Sequence, residues 1–316
     1  MTNQLLDSPA TTVAWRRVAL FYGLAFSGAV LVALAMFAVR QALGLQSTAI
    51  TLSLAALAYM PLPLVAGLIT ERVAGRGPLL ASEWRSVRTS FWRTYARNAA
   101  VAMVMIVTIV AVAFLAAWLC GLLQVPGAGH LVTDEAGLRE QLARSNPALG
   151  EAPVPPVPVL AISVVLQGLV AGLTINGLFA FGEEYGWRGV LAEELRPLGA
   201  VRANLLTGLL WGFWHAPIIV FGHNYGVEWG WGILVMIAWV TPFSFLLWQA
   251  RERTGSVLAP AILHGAGNGV LGVFAFLVAG GHILVALPVG LVLAVVMTVV
   301  AALAWRLRRP VPGLAG

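Results

Sequence analysis

The sequence predicts an all-α fold, a polytopic membrane protein with about eight transmembrane helices. Of its 316 residues, 59% are hydrophobic and only 10% are charged, with a mean hydropathy of +0.87. Soluble domains carry about 25% charged residues. Apolar runs long enough for a helix to cross a bilayer recur along the chain. We therefore expect residues 1–316 to form a single membrane domain, without a soluble one.

The charge and cysteine content exclude several other classes of protein. The formal net charge of +6 involves 19 arginines and no lysine. These arginines are dispersed between apolar runs, so they indicate membrane topology rather than nucleic-acid binding. Cys120 is the single cysteine, which excludes an internal disulfide and any metal cluster built on cysteines.

The apolar runs set the order of the predicted spans. Pro61 and Pro63 lie inside the second run, where they should kink or break the helix. Pro197 and Gly199 predict where the fourth helix stops, after it has passed a pair of glutamates. The predicted spans are 18–39, 49–70, 99–123, 159 to about 195, 203–221, 231–249, 257–279 and 283–305.

Two connecting segments carry features of their own. Residues 71–98 mix arginines with tryptophans, which indicates a basic amphipathic segment at the membrane surface, with a solvated loop as the alternative. Residues 124–158 form the one long loop. Within it, Asp134 to Ser145 predicts a short capped helix with Leu138 and Leu142 on one side.

The arginines predict the orientation in the membrane. With eight spans, only Arg40, Arg139 and Arg144 lie opposite the N-terminus, and all other arginines lie on the N-terminal side. Cytoplasmic segments carry the excess of arginine, so both termini are expected in the cytoplasm, as tails 1–17 and 306–316. The protein is expected to be integral to a bacterial plasma membrane.

Three apolar runs contain polar side chains that a bilayer disfavours, and such groups indicate a functional site. Under the predicted topology, all of them can line one cavity open to the cytoplasm, within core helices 159–280. The runs contribute Glu183, Glu184 and Arg188; then His215; and finally His264 and Asn268.

These residue types suit hydrolysis in surroundings of low dielectric constant. A glutamate can act as general base towards water, and an asparagine amide can donate to an oxyanion. Histidines can hold the water, hold a metal or donate to the oxyanion. Glu183, His215 and His264 would also be a competent zinc set. No cofactor is required by the sequence, and zinc is the candidate if one is present.

The three runs together resemble the CAAX-protease and bacteriocin-processing family of intramembrane proteases, which includes the type II CAAX prenyl endopeptidases. The motifs are Glu-Glu-x-x-x-Arg, aromatic-x-x-x-His and His-x-x-x-Asn, in that order on successive spans. The resemblance covers about 160 to 280. Trp211 stands where the family usually has phenylalanine, a difference that bears on substrate shape rather than on catalysis.

The resemblance implies a role for each polar residue. Glu183 would activate water, His215 would help to hold it, and His264 with Asn268 would form the oxyanion site. Glu184 and Arg188 would support them. From their positions, we also expect three tryptophans to line the substrate cavity: Trp187, Trp211 and Trp214.

Other interpretations remain open at this stage. A histidine within a membrane helix is often a helix–helix hydrogen bonder, and buried ionisable groups also serve transporters. A non-catalytic immunity or scaffold protein is the third alternative. The expected partners are the bilayer and a membrane-associated peptide: a prenylated CAAX peptide, a bacteriocin precursor or a juxtamembrane segment. Glu193 and Glu194 are expected to be a solvated helix end.

Overall fold

The computed structural model describes residues 12–44, 54–145 and 153–307 and is 80% helical. This confirms the predicted all-α class. The helices are Trp15–Ala42 (α1), Leu62–Val73 (α2), Leu79–Thr89 (α3), Phe91–Leu122 (α4), Glu135–Ser145 (α5), Val157–Leu173 (α6), Ile175–Glu184 (α7), Ala192–Leu195 (α8), Gly199–Trp214 (α9), Ala216–Val220 (α10), Trp229–Thr254 (α11), Leu258–Val270 (α12), Val273–Leu277 (α13) and Leu291–Arg306 (α14).

Shorter elements complete the described part of the chain. Two π-helical segments, Ala55–Tyr59 and Tyr185–Leu191, precede α2 and follow α7. Two 3₁₀ turns lie at Arg196–Leu198 and Gly226–Glu228. A small antiparallel sheet pairs two strands of two residues each, His130–Leu131 (β1) and Val278–Ala279 (β2).

Six stretches of the described chain are long and apolar enough to cross a membrane, which confirms a polytopic membrane protein. The predicted number of eight crossings is not confirmed. Two further apolar helices, α6 and α14, are shorter than the other candidates. The six stretches are Trp15–Ala42, Ala56–Val73, Phe91–Leu122, Ile175–Val220, Gly226–Thr254 and Leu258–Leu277.

The stretch Ile175–Val220 contains a reversal of the chain. The indole Nε1 of Trp211 donates to Glu183 Oε2 at 2.8 Å. In a straight helix, 28 residues would separate the two positions by about 42 Å. The chain therefore turns back between them, at the 3₁₀ turn Arg196–Leu198 and at Gly199, whose φ of 76° favours glycine. This is the stop that Pro197 and Gly199 predicted.

Some predicted helix boundaries were wrong, and one predicted span is interrupted. Helix α4 begins at Phe91 rather than 99, because the helix continues through polar residues that the apolar run did not include. Helix α14 begins at Leu291 rather than 283, after turns that contain Pro288. The fourth span is interrupted at Thr174, whose hydroxyl donates to the Val170 carbonyl at 2.7 Å. Such back-bonding often bends helices.

Local predictions elsewhere were confirmed. The chain forms a turn at Pro61 between the first π segment and α2, as the prolines predicted. In the loop, Asp134 Oδ1 accepts from the Gly137 amide at 2.8 Å and caps α5. Leu138 is fully buried and Leu142 packs beside it against the core. Residues Leu79–Thr89 are helical, so the loop alternative for that part of 71–98 was wrong.

Helix α12 occupies the centre of the structure. In Leu258–Leu277, 72% of the most apolar window is buried, against 28% in Trp15–Ala42. Helices α4, α6, α7 and α11 all pack against it. Gly265 permits this approach, because a Cβ there would lie 2.4 Å from the Gly177 nitrogen. The helix that carries His264 is thus the most enclosed one of the described chain.

Candidate active site

The paired glutamates lie where α7 widens into the π segment Tyr185–Leu191. Every residue of that segment is buried. Close packing accompanies the widening, since a Cβ on Gly186 would lie 2.5 Å from Pro63 Cβ. Short π-helical stretches inside α-helices frequently occur at functional sites. The local fold therefore turns two carboxylates and one guanidinium into the interior of a membrane protein.

Glu183 is tied to the second polar run. Its side chain is 3% exposed, and its Oε2 accepts the 2.8 Å hydrogen bond from Trp211 Nε1. Helices α7 and α9 lie on either side of the turn at Gly199 in the chain, so this bond joins the two arms of the reversal. One carboxylate oxygen is thereby fixed in direction.

Glu184 is tied to the third polar run and to its own helix. Its Oε1 accepts from Arg188 Nη1 at 3.0 Å and lies 2.9 Å from His264 Nδ1. Glu184 is fully buried and Arg188 is 1% exposed. The spacing of four residues predicted that Glu184 and Arg188 share a face, and the structure has them paired.

Trp211 contacts residues of all three polar runs. The Arg188 guanidinium lies 4.1 Å from the centroid of its ring, a cation–π arrangement. The His264 ring meets the indole edge-on at 5.2 Å between centroids. The Trp211 carbonyl lies 2.9 Å from His215 Nδ1. Sequence reasoning placed Trp211 only in the cavity wall, although an indole N–H buried in an apolar span signals a need for a partner.

The two histidines are oriented in the same way. A carbonyl oxygen only accepts hydrogen bonds, so His215 Nδ1 must carry the proton that is shared with Trp211. His264 likewise directs Nδ1 to the Glu184 carboxylate. In the neutral ring, each Nε2 is then left with a lone pair. His215 is half-buried and His264 is 5% exposed.

The other two tryptophans that were predicted to line the cavity are buried and pack against each other. Trp187 and Trp214 are fully buried and meet edge-on at 5.8 Å between ring centroids. Trp214 Nε1 donates to the Ala25 carbonyl at 3.0 Å. Tyr59, which sequence reasoning missed, donates to the Trp214 carbonyl at 2.6 Å. That carbonyl precedes His215, so α1 and the first π segment support the position of this histidine.

Asn268 is the predicted site residue that stands apart. It lies one turn beyond His264 on α12 and is exposed. Within the described ranges, no hydrogen bond joins its side chain to the Glu183–Glu184 cluster. Its role as an oxyanion donor stays a prediction.

The predicted zinc ligands do not assemble into a metal site. Among residues 12–44, 54–145 and 153–307, no group of three or more His, Cys, Asp or Glu side chains could hold a metal ion. As the structure arranges them, these side chains do not form a zinc site; metal dependence stays a prediction, and the reaction is derived from protein groups alone.

The expectation of a solvated helix end at Glu193 and Glu194 was wrong for Glu194. Its side chain is 2% exposed, and it accepts from Arg17 at 2.9 Å and from Arg76. Burial, together with the nearby Arg17, lowers the pKa of Arg76. The reason is tertiary: α1 and the loop after α2 fold over this helix end. Glu193 is less enclosed and pairs with Arg251 at 2.8 Å.

Comparison with known proteins shows a similarity over part of the chain. Residues 154–270 match the type II CAAX prenyl endopeptidase Rce1-like family. This part of the chain is similar to the Rce1-like domain. All nine predicted site residues fall inside the matched range, from Glu183 to Asn268. The resemblance that the three motifs indicated is thereby confirmed.

A curated protein is also similar to part of this chain. It is CAAX prenyl protease 2 of Methanococcus maripaludis, 24% identical over 128 residues. The match covers 33% of this chain and 47% of the relative. The chain thus spans about half the length of the curated relative that it matches.

Proposed function

We propose that this protein is an intramembrane endopeptidase that hydrolyses a peptide bond of a membrane-associated substrate, with Glu183 as general base. The observation that carries the proposal is the convergence of Glu183, Glu184, His215 and His264 around Trp211. The family match and the peptidase name of the curated relative support the reaction class.

The geometry supports a different role for each of the two glutamates. Glu184 Oε1 is occupied by Arg188 and His264, which leaves this carboxylate to hold the two side chains in position. Glu183 is fixed through one oxygen only, by Trp211. The carboxylate of Glu183 can therefore accept a proton from water while its direction is maintained.

The reaction follows from these roles. The water gives one proton to Glu183, and His215 Nε2 accepts a hydrogen bond from the remaining O–H. The water oxygen forms a bond to the scissile carbonyl carbon, and the carbonyl oxygen becomes an oxyanion. Asn268 is the proposed donor to that oxyanion. Glu183 then transfers its proton to the departing amine as the carbon–nitrogen bond breaks, which releases two peptides.

Several buried polar atoms in and beside this cluster have no hydrogen-bond partner in the protein, so a polar ligand would stabilise them. Arg188 Nε and Nη2, Glu184 Oε2 and Trp187 Nε1 are such atoms among the described residues. Leaving a buried polar group unpaired costs about 1–3 kcal/mol. Water and a peptide backbone are ligands that can pair with these donors and acceptors, as hydrolysis of a peptide requires.

The proposed substrate is a prenylated peptide of the CAAX type, because the curated relative is named a CAAX prenyl protease. The exposed side chains of the long helices, such as Leu31, Val104 and Leu166, are apolar, as expected for contact with lipid. A substrate held in the same bilayer by its lipid can approach the site laterally. A bacteriocin precursor and a juxtamembrane segment are the alternatives that the assay below compares.

The test is peptide cleavage in proteoliposomes with purified full-length protein. The wild type should cleave a prenylated peptide faster than the same peptide without its lipid, and Glu183→Gln should abolish cleavage. Exposed Glu140→Gln, whose partner is the equally exposed Arg144, is the matched control and should cleave normally. A Glu183→Gln protein that cleaves at the wild-type rate refutes the proposal.

A further inference from the structure

The turn that precedes α12 is held by side chains from a distant part of the chain. Helix α11 ends at Thr254, Gly255 has a φ of 69°, and α12 begins at Leu258. Arg97 of α4 donates to the Thr254 carbonyl. Glu83 of α3 also contacts this turn. This turn is the point at which the helix that carries His264 is anchored.

Glu83 caps α12 from another helix. Its Oε2 accepts from the Ser256 hydroxyl at 2.5 Å, and its Oε1 accepts from the Val257 amide at 3.2 Å. The Ser256 oxygen in turn accepts from the Leu258 amide at 3.1 Å. The first amides of a helix lack partners within the helix, and negative charge is favoured beside them. Glu83 thus satisfies this end of α12 from 174 residues away.

The burial pattern of α3 singles out the Glu83 contact. Among its residues with described side chains, Glu83 alone is buried, while Trp84 and Arg85 beside it are exposed. A carboxylate is costly to bury, so the burial of Glu83 must be offset by the hydrogen bonds that it accepts from the turn. Within 79–97, Glu83 is also the only acidic residue. The one carboxylate of this segment is directed at α12.

The anchor lies close to the reacting groups along a stiff element. Seven residues separate Val257 from His264, a distance of about 10 Å along the helix. A shift or rotation of α12 at its start is therefore transmitted to the His264 ring, whose Nδ1 lies 2.9 Å from Glu184. A misplacement of about 1 Å in a catalytic constellation can cost about 100-fold in rate.

We propose that Glu83 is a positioning residue: it fixes the start of α12 so that His264 meets Glu184. The inference rests on the proposed peptidase function. It assigns to α3, which lies outside the range matched by the Rce1-like family, a part in the reaction. Glu83 itself touches neither substrate nor water in this scheme.

The test compares Glu83→Ala, Glu83→Gln and Thr70→Val in proteoliposomes. Glu83→Ala should lower kcat by about 10- to 100-fold and leave KM unchanged, because substrate contacts are intact. Glu83→Gln should restore most of the rate, since the amide oxygen can accept from Val257 and the amide N–H can bond Ser256. Thr70→Val removes a buried hydrogen bond within α2, to Ala66 at 2.8 Å, and should cleave normally.

A second readout does not depend on activity. Diethyl pyrocarbonate modifies accessible histidines, and mass spectrometry reports the rate at His264. That rate should rise in Glu83→Ala and stay low in Glu83→Gln and Thr70→Val. An unchanged rate at His264 in Glu83→Ala overturns the inference, whether or not cleavage is observed. The inference is also overturned if Glu83→Ala changes KM instead of kcat. It is overturned as well if Thr70→Val or Glu83→Gln lowers kcat by as much as Glu83→Ala does. Absence of Glu183-dependent cleavage in the wild type counts against the proposed function instead.

Discussion

Replacing Arg188 should test the buried charge pair at the centre of the site. Arg188→Ala removes a guanidinium that is 1% exposed, that donates to Glu184 Oε1 at 3.0 Å and that covers the Trp211 ring at 4.1 Å. Breaking a buried pair leaves an uncompensated charge and costs about 3–5 kcal/mol. We therefore expect Arg188→Ala to lose that much free energy of unfolding.

Arg196 provides the matched control. Its side chain is 52% exposed, and its partner Glu193 keeps a second arginine, Arg251, at 2.8 Å. Exposed ion pairs contribute about 0–1 kcal/mol. Arg196→Ala should therefore change the free energy of unfolding little, although it removes the same group five residues after the π segment ends.

The assay is unfolding in mixed micelles titrated with sodium dodecyl sulfate, followed by tryptophan fluorescence and, separately, by peptide cleavage. The double variant Arg188→Ala/Glu184→Gln should recover part of the lost stability, because no unpaired carboxylate remains. Equal stability of the Arg188→Ala and Arg196→Ala proteins would refute the pairing. A double variant that is less stable than Arg188→Ala alone would show that the cost does not come from a stranded charge.

Three more changes follow from particular contacts. A periplasm-active reporter fused after residue 90 should give no signal and one fused after residue 140 a strong one, as the arginine distribution predicts; the reverse signals would contradict cytoplasmic termini. Trp211→Phe keeps a ring but removes the hydrogen-bond donor to Glu183, so kcat should fall about 10-fold. The control Trp239→Phe loses a hydrogen bond to Tyr225 and should leave kcat unchanged. Gly265→Ala should destabilise the protein by about 1–3 kcal/mol through overpacking, while Gly230→Ala, with open space around its Cβ, should be silent in the same unfolding assay.

The features of the fold that depend on residues close together in the sequence could be predicted. The turn at Pro61, the stop at Pro197 and the capped helix after Asp134 follow from local backbone chemistry. The pairing of Glu184 with Arg188 follows from helical periodicity. The start of α4 at Phe91 could not be read from hydropathy, because hydropathy marks the part of a helix that lipid covers and not the whole helix.

Contacts between distant segments could not be predicted from the sequence. Tyr59 meets the Trp214 carbonyl across 155 residues, and Glu83 meets Ser256 across 173. Sequence does indicate that a buried polar group requires a partner. It does not indicate which partner, since that choice depends on which helices pack side by side. For the same reason Glu194 was assigned to a solvated end, although Arg17 covers it.

The two adjacent glutamates are not interchangeable, and helix geometry gives the reason. Consecutive side chains on a helix point about 100° apart, so Glu183 and Glu184 must meet different neighbours. Glu183 meets α9 through Trp211, and Glu184 meets α12 through His264. Loss of the Trp211 bond leaves Glu183, the proposed general base, without a fixed direction, whereas loss of Glu184 releases His264 and leaves Arg188 without its carboxylate partner. The two glutamates therefore make two separate contacts, one from α7 to α9 and one from α7 to α12, and do not form one acidic patch. Loss of each contact has a different consequence.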